Sequence, residues 1–60
     1  MAEKFEINKA KNGQFYFTLK APNNEIIATS EMYTTKQNCE KGIDAVKRYA
    51  AAAQTEDNTA

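Results

Sequence analysis

Residues 4–20, KFEINKAKNGQFYFTLK, alternate apolar and polar side chains on both sides of a short polar break. Phe5 and Ile7 stand against Lys4, Glu6 and Asn8, and Phe15, Phe17 and Leu19 stand against Tyr16, Thr18 and Lys20. A period of two marks a half-buried strand, and Ala10-Lys11-Asn12-Gly13 between the two runs reads as a hairpin turn. The apolar rows also set the register. A two-residue Asn12-Gly13 loop would place Ile7 across from Thr18 and Phe5 across from Lys20, with the apolar rows on opposite faces. A three-residue loop from Lys11 to Gly13 places Ile7 across from Phe17 and Phe5 across from Leu19. That loop needs Gly13 in the left-handed conformation of a G1 bulge. The pattern predicts the longer loop, with Gly13 serving the backbone rather than phosphate binding.

A second turn follows at Pro22-Asn23-Asn24-Glu25. Asn tolerates positive φ, so a two-residue Asn23-Asn24 turn is expected. It sets Ala28 opposite Leu19 and Ile26 opposite Ala21 on the apolar face, with Ile27 and Thr29 on the other. The third strand covers residues 25–31 and completes an antiparallel meander. Thr34 with Gln37 three residues on fits a capping box. Beyond it, Cys39, Gly42, Ile43, Val46, Tyr49 and Ala50 recur at the three- and four-residue spacing of one helix face. The expected fold is α+β, one domain over residues 3–59, with the helix on the apolar face of the sheet. Its expected core is Phe5, Ile7, Phe15, Phe17, Leu19, Ile26, Ala28, Cys39, Ile43, Val46 and Tyr49. The end, AAAQTEDNTA, is polar with no apolar alternation, and its residues alone leave open whether it is a tail or an ordered strand.

Sixty residues leave a folded chain burying only about 60% of its unfolded surface, so a domain this small needs a helper. One cysteine cannot form an internal disulfide, and the absence of histidine removes a Cys/His zinc site. Self-association remains. Eight basic and eight acidic residues give zero net charge, without the basic bias of a dedicated nucleic-acid binder. The start, MAEKFEIN, has no apolar signal stretch, and no run reaches membrane-spanning length. A soluble cytoplasmic protein with no membrane contact is expected.

Candidate functional residues are sparse. A nucleophilic cysteine wants a histidine base, and there is none, so Cys39 reads as a small apolar residue packed on the sheet. Gly42 in mid-helix costs about 1 kcal/mol relative to alanine, which close approach of helix and sheet would explain, with a flexible hinge as the alternative. The carboxylates Glu3, Glu6, Glu25, Glu31, Glu40, Asp44, Glu56 and Asp57 show no bracketing of a pair in an apolar pocket. Neither an enzyme nor a cofactor is expected. The outer sheet face carries Tyr16, Thr18 and Lys20, with Lys4 and Lys9 near, in the manner of sheets that stack single-stranded bases on an aromatic. Met32 and Tyr33, large residues just before the helix, either plug the helix–sheet end or meet a partner subunit.

The stretches KFEI, NGQFYFTLKA and NNEIIATSEMYTTKQNCEKGIDAVKRYA, with the late ED, resemble in order the YegP-like family of small bacterial proteins of unknown function. The resemblance implies a β3-α-β unit, two of which form one sheet by exchanging their C-terminal strands. A single unit then implies a homodimer, with residues 53–58 as a fourth strand on the partner and Met32, Tyr33, Gln54, Thr55, Glu56 and Asp57 at the interface. Relative to the family pattern, Tyr16 and Thr18 stand where a basic residue is common, Asn24 and Met32 stand at glycine positions, and Thr55 and Asn58 stand at aliphatic ones. The family brings no activity, cofactor or catalytic residue, and leaves the macromolecular partner unidentified.

Overall fold

The computed structural model describes residues 3–59. Three strands, β1 (Lys4–Lys9), β2 (Phe15–Lys20) and β3 (Ile26–Thr29), form an antiparallel sheet in the order β1-β2-β3, followed by the helix α1 (Lys36–Ala52). The first hairpin has the longer loop. Ile7 pairs with Phe17 and Phe5 with Leu19. Gly13 sits at φ 87°, and the Ala10 N–H donates to the Gln14 carbonyl at 2.7 Å while the Gly13 N–H returns to the Ala10 carbonyl at 3.0 Å.

The second hairpin departs from expectation. The Ala21 N–H donates to the Glu25 carbonyl at 2.8 Å and the Asn24 N–H to the Ala21 carbonyl at 2.9 Å, closing a three-residue loop. Pro22 presets φ at the first central position of the turn, and Asn24 takes the left-handed place at φ 72°. Ile26 therefore lies across from Lys20 rather than Ala21, and Ile27 is the extra residue of a bulge before Ala28 meets Leu19 and Thr29 meets Thr18. A second irregularity follows. Ser30 lies across from Phe17, its N–H donating to the Phe17 carbonyl at 2.9 Å. Tyr33 exchanges both backbone bonds with Phe15, at 2.7 and 2.8 Å. Glu31 and Met32 thus oppose the single residue Tyr16.

The helix begins one residue later than the capping box predicts. Thr35, not Thr34, is the N-cap, and its Oγ1 accepts from the Asn38 N–H at 3.1 Å. The helix packs on β1 and β2 and makes no contact with β3. Its inner face meets the sheet at Gly42, where an added Cβ would lie 2.8 Å from Tyr33 Cζ and 3.2 Å from Phe17 Cε2. The close approach explains the glycine.

The interior is thin. Phe17 and Cys39 are buried, while Phe5, Ile7, Phe15, Leu19, Ile43 and Val46 are half-buried. Three expected core residues lie outside it: Ile26 at 60% exposure, Tyr49 at 68%, and Ala28. For Ile26 and Ala28 the cause is the bare β3. For Tyr49 it is length. Seventeen helical residues span about 25 Å, whereas six-residue strands span about 20 Å. The last turn overruns the sheet, leaving the Tyr49 ring in solvent with the Arg48 guanidinium 5.4 Å from its centroid.

Candidate functional site

On the outer face, β1 and β2 place Glu6 between two cations. Its carboxylate meets Lys20 Nζ at 2.9 Å and Lys4 Nζ at 3.3 Å. Lys20 first, and Lys4 second, hold the Glu6 carboxyl below its ordinary value of 4.5. Thr18, directly across from Glu6, is 5% exposed, and its Oγ1 has no hydrogen-bond partner. The expected trio of Tyr16, Thr18 and Lys20 does share one face. Within it, however, the Thr18 hydroxyl is covered and the Lys20 charge is already matched. Tyr16 is half-buried. Lys9 is not with this group, because its Nζ lies 5.8 Å from the centroid of Phe15 on the inner row.

Cys39 is fully buried. Burial, and then the Glu40 carboxylate, push its thiol above its ordinary value of 9.0, the reverse of what a thiolate nucleophile requires. No group of three or more Cys, Asp and Glu side chains able to hold a metal ion occurs among the described residues. Nor is any helix among them long and apolar enough to cross a membrane.

The expected interface residues are not gathered. Tyr33 packs inward, its ring stacked on Phe17, while Met32 is 48% exposed. Gln54, Thr55, Glu56 and Asp57 are exposed and form no strand. Among the described residues, the hydrogen bonds of residues 54–59 are those that Thr59 makes to Asp57 Oδ1, at 3.0 and 2.6 Å.

One feature lies outside the sequence expectations. Between α1 and the β1–β2 hairpin is a groove of about 500 Å³. It is lined by the apolar Phe5, Ile7 and Phe15 and by the charged Lys9, Lys36 and Glu40. Lys9, expected near the outer face, stands instead in the row that continues Phe5 and Ile7, and that alternation is the signal that could have placed it.

The family model for a domain of unknown function, DUF1508, matches residues 10–57. This chain belongs to that YegP-like family. The UPF0339 protein YegP of Escherichia coli is 47% identical over 57 residues, which are 95% of this chain and 52% of YegP. The chain thus spans about half the length of the curated relatives it matches first. A UPF0339 protein of Treponema denticola is 49% identical over 53 residues, 88% of this chain and 91% of that protein. The solution NMR structure of a protein from Haloferax volcanii has the same fold, with a TM-score of 0.83 at 30% identity over 92% of this chain and 93% of that one. The β3-α part of the family unit is therefore observed in this YegP-like chain, and the function of the family is unknown.

Proposed function

We propose that this YegP-like chain is a non-enzymatic cytoplasmic module that completes its fold with a second copy and serves by structure or by binding a macromolecule. The observation that carries the reading is the unfinished interior. Among the described residues, Phe17 is the one large apolar side chain that is buried, while Ile26, Ile27 and Met32 stand 60%, 62% and 48% exposed beside a β3 that no helix covers. The outline agrees: the radius of gyration is 13.1 Å, against about 10 Å for a compact domain of this length. Exchange of residues 53–58 as a fourth strand would use the free tail. YegP, of which this chain matches 52%, has length for two such units in one chain. The free thiol fits a reducing compartment.

Sedimentation equilibrium at micromolar concentration tests this. A dimer is expected, and deletion of residues 52–60 should yield monomer or lower the melting temperature. A well-folded monomer at all concentrations would refute the reading.

A second reading, a weak single-stranded nucleic-acid binder, draws on Tyr16 and Lys20 sharing the outer face. Affinity for a fluorescent oligonucleotide would then fall as salt rises. The Glu6 carboxylate between Lys4 and Lys20 makes that face a poor phosphate site, and no binding at low salt is expected.

A further inference from the structure

We propose that Asn12 is a modification site held latent by the fold: its side-chain amide is lost in forming a cyclic imide with Gly13 when the first hairpin opens, and the closed hairpin prevents the reaction. Nothing in this reaction depends on a second copy.

Six asparagines occur in the chain, and Asn12 alone precedes a glycine. The reaction joins the Gly13 backbone nitrogen to Asn12 Cγ. A new C–N bond forms, the Gly13 nitrogen gives up its proton, and the Asn12 amide nitrogen departs as ammonia. Water then opens the five-membered imide at either carbonyl. The product is aspartate, or isoaspartate with Cβ inside the main chain. Glycine favours the closure because it has no Cβ beside the attacking nitrogen and its backbone turns freely. Residues 11–13 are exposed, so water reaches the imide.

The folded loop blocks the first step. The Gly13 N–H is held by the Ala10 carbonyl at 3.0 Å. That bond, with Gly13 at φ 87°, makes a type I turn followed by a G1 bulge. Such a turn keeps its second central residue, here Asn12, at ψ of about 0°. Its Cβ and the next nitrogen then lie far apart around the Cα–C bond, whereas ring closure needs them eclipsed. The side chain is tied as well. Asn12 Oδ1 accepts from the Gln14 N–H at 3.0 Å, and Nδ2 donates to Gln14 Oε1 at 3.2 Å. The carboxamide is thus bonded to the residue after the one that must attack.

The second hairpin is a built-in control, because its loop repeats this geometry. The Asn24 N–H donates to the Ala21 carbonyl at 2.9 Å, and Asn24 takes φ 72°. Asn23 Oδ1 accepts from the Glu25 N–H at 3.1 Å, and its Nδ2 donates to Glu25 Oε1 at 3.3 Å. Asn23 occupies the place of Asn12, but the residue that would attack it, Asn24, carries a side chain.

Conversion at Asn12 alters the loop that sets the sheet. A carboxylate there no longer donates to Gln14 Oε1, and the chain, neutral before, gains one negative charge. Isoaspartate also lengthens the loop by one main-chain atom beside the Lys9–Phe15 pair that opens the ladder. Loop length sets register in this hairpin, so the isoaspartyl form should unfold at lower urea than the parent.

Mass spectrometry of the full chain tests the site. The protein is incubated in mildly alkaline buffer, folded and in denaturing urea, then digested with trypsin. Asn12 lies in the peptide of residues 12–20 and Asn23 in that of residues 21–36. Replacement of NH2 by OH at Asn12 should run on the order of tenfold faster, or more, in urea, because only the open fraction reacts. Asn23 should lag behind Asn12 in both conditions. Equal rates at Asn12, folded and unfolded, would show that the hairpin gives no protection. No conversion in urea, or conversion of Asn23 as fast as Asn12, would remove the site. Gln14→Ala deletes the side-chain acceptor and keeps the loop backbone. It should raise the folded rate about 2–10-fold and leave the rate in urea unchanged. A folded rate that does not move would exclude the side-chain tether from the protection.

Discussion

Tyr33 stacks on Phe17, with ring centroids 6.2 Å apart and planes 16° from parallel. The bridge that ties the Tyr33 backbone to Phe15 holds this ring in place, and its hydroxyl end rests on Gly42. Helix, central strand and the last turn of the meander meet at this one contact. Alanine at position 42 would gain about 1 kcal/mol in helix propensity. It would also drive a methyl group into a ring that cannot pivot without leaving Phe17. Overpacking of this kind costs about 1–3 kcal/mol. Gly42→Ala should therefore lower stability in urea, and Tyr33→Phe, which removes the nearest atom, should recover part of the loss.

Ser30 replaces a missing rung of the ladder. Its Oγ accepts the Phe17 N–H at 2.9 Å and donates to the Glu31 carbonyl at 2.7 Å. Without it the N–H of a buried residue has no acceptor. Ser30→Ala should cost about 1–3 kcal/mol, and hydrogen exchange should locate the damage as faster exchange at the Phe17 amide. Unchanged exchange there would show that another acceptor takes over.

The first hairpin was legible because burial decides its register. One loop length aligns Phe5 and Ile7 with Leu19 and Phe17, and the other does not. The second was not, because Asn23 and Asn24 both tolerate positive φ and Ile26 and Ile27 are adjacent, so no alternation separates the two loops. Cys39 and Gly42 were readable as an inner helix face by period alone. Tyr49 obeys the same period yet lies outside, since periodicity gives the face of a helix and not the place where the sheet beneath it stops. Lys9 was grouped with the outer face, although it stands in the row that continues Phe5 and Ile7. That this row borders an open edge depends on the strand order β1-β2-β3, which no local pattern encodes.

The Glu6 carboxyl, held low by Lys20 and Lys4, links folding to pH. A carboxyl with a depressed folded value binds protons less readily in the native state. Its contribution is complete above the ordinary value of 4.5 and is lost as pH falls through the lower folded value. Carboxyl-carbon NMR titration should place the Glu6 midpoint below the ordinary value. Lys20→Met should raise it more than Lys4→Met, following the shorter contact. A Glu6 midpoint at or above the ordinary value would show that the lysines do not hold it.

Thr18 gives the last prediction. It occupies the centre of the middle strand at 5% exposure, with Oγ1 lacking a partner. Most buried hydroxyls find an acceptor or a donor, because an unpaired one forfeits its hydration for nothing. Glu6, across from it, already takes Lys4 and Lys20. Valine keeps the branched shape that suits a strand and removes the hydroxyl. Thr→Val is usually costly in a core because it strands the hydrogen-bond partner, and here no such partner is left behind. Thr18→Val should therefore stabilise the fold by about 1 kcal/mol, seen as a higher urea midpoint with an unchanged slope. A destabilisation of the same size would mean that the hydroxyl is satisfied in solution, by a bound water or by a group on a second copy laid against the outer face.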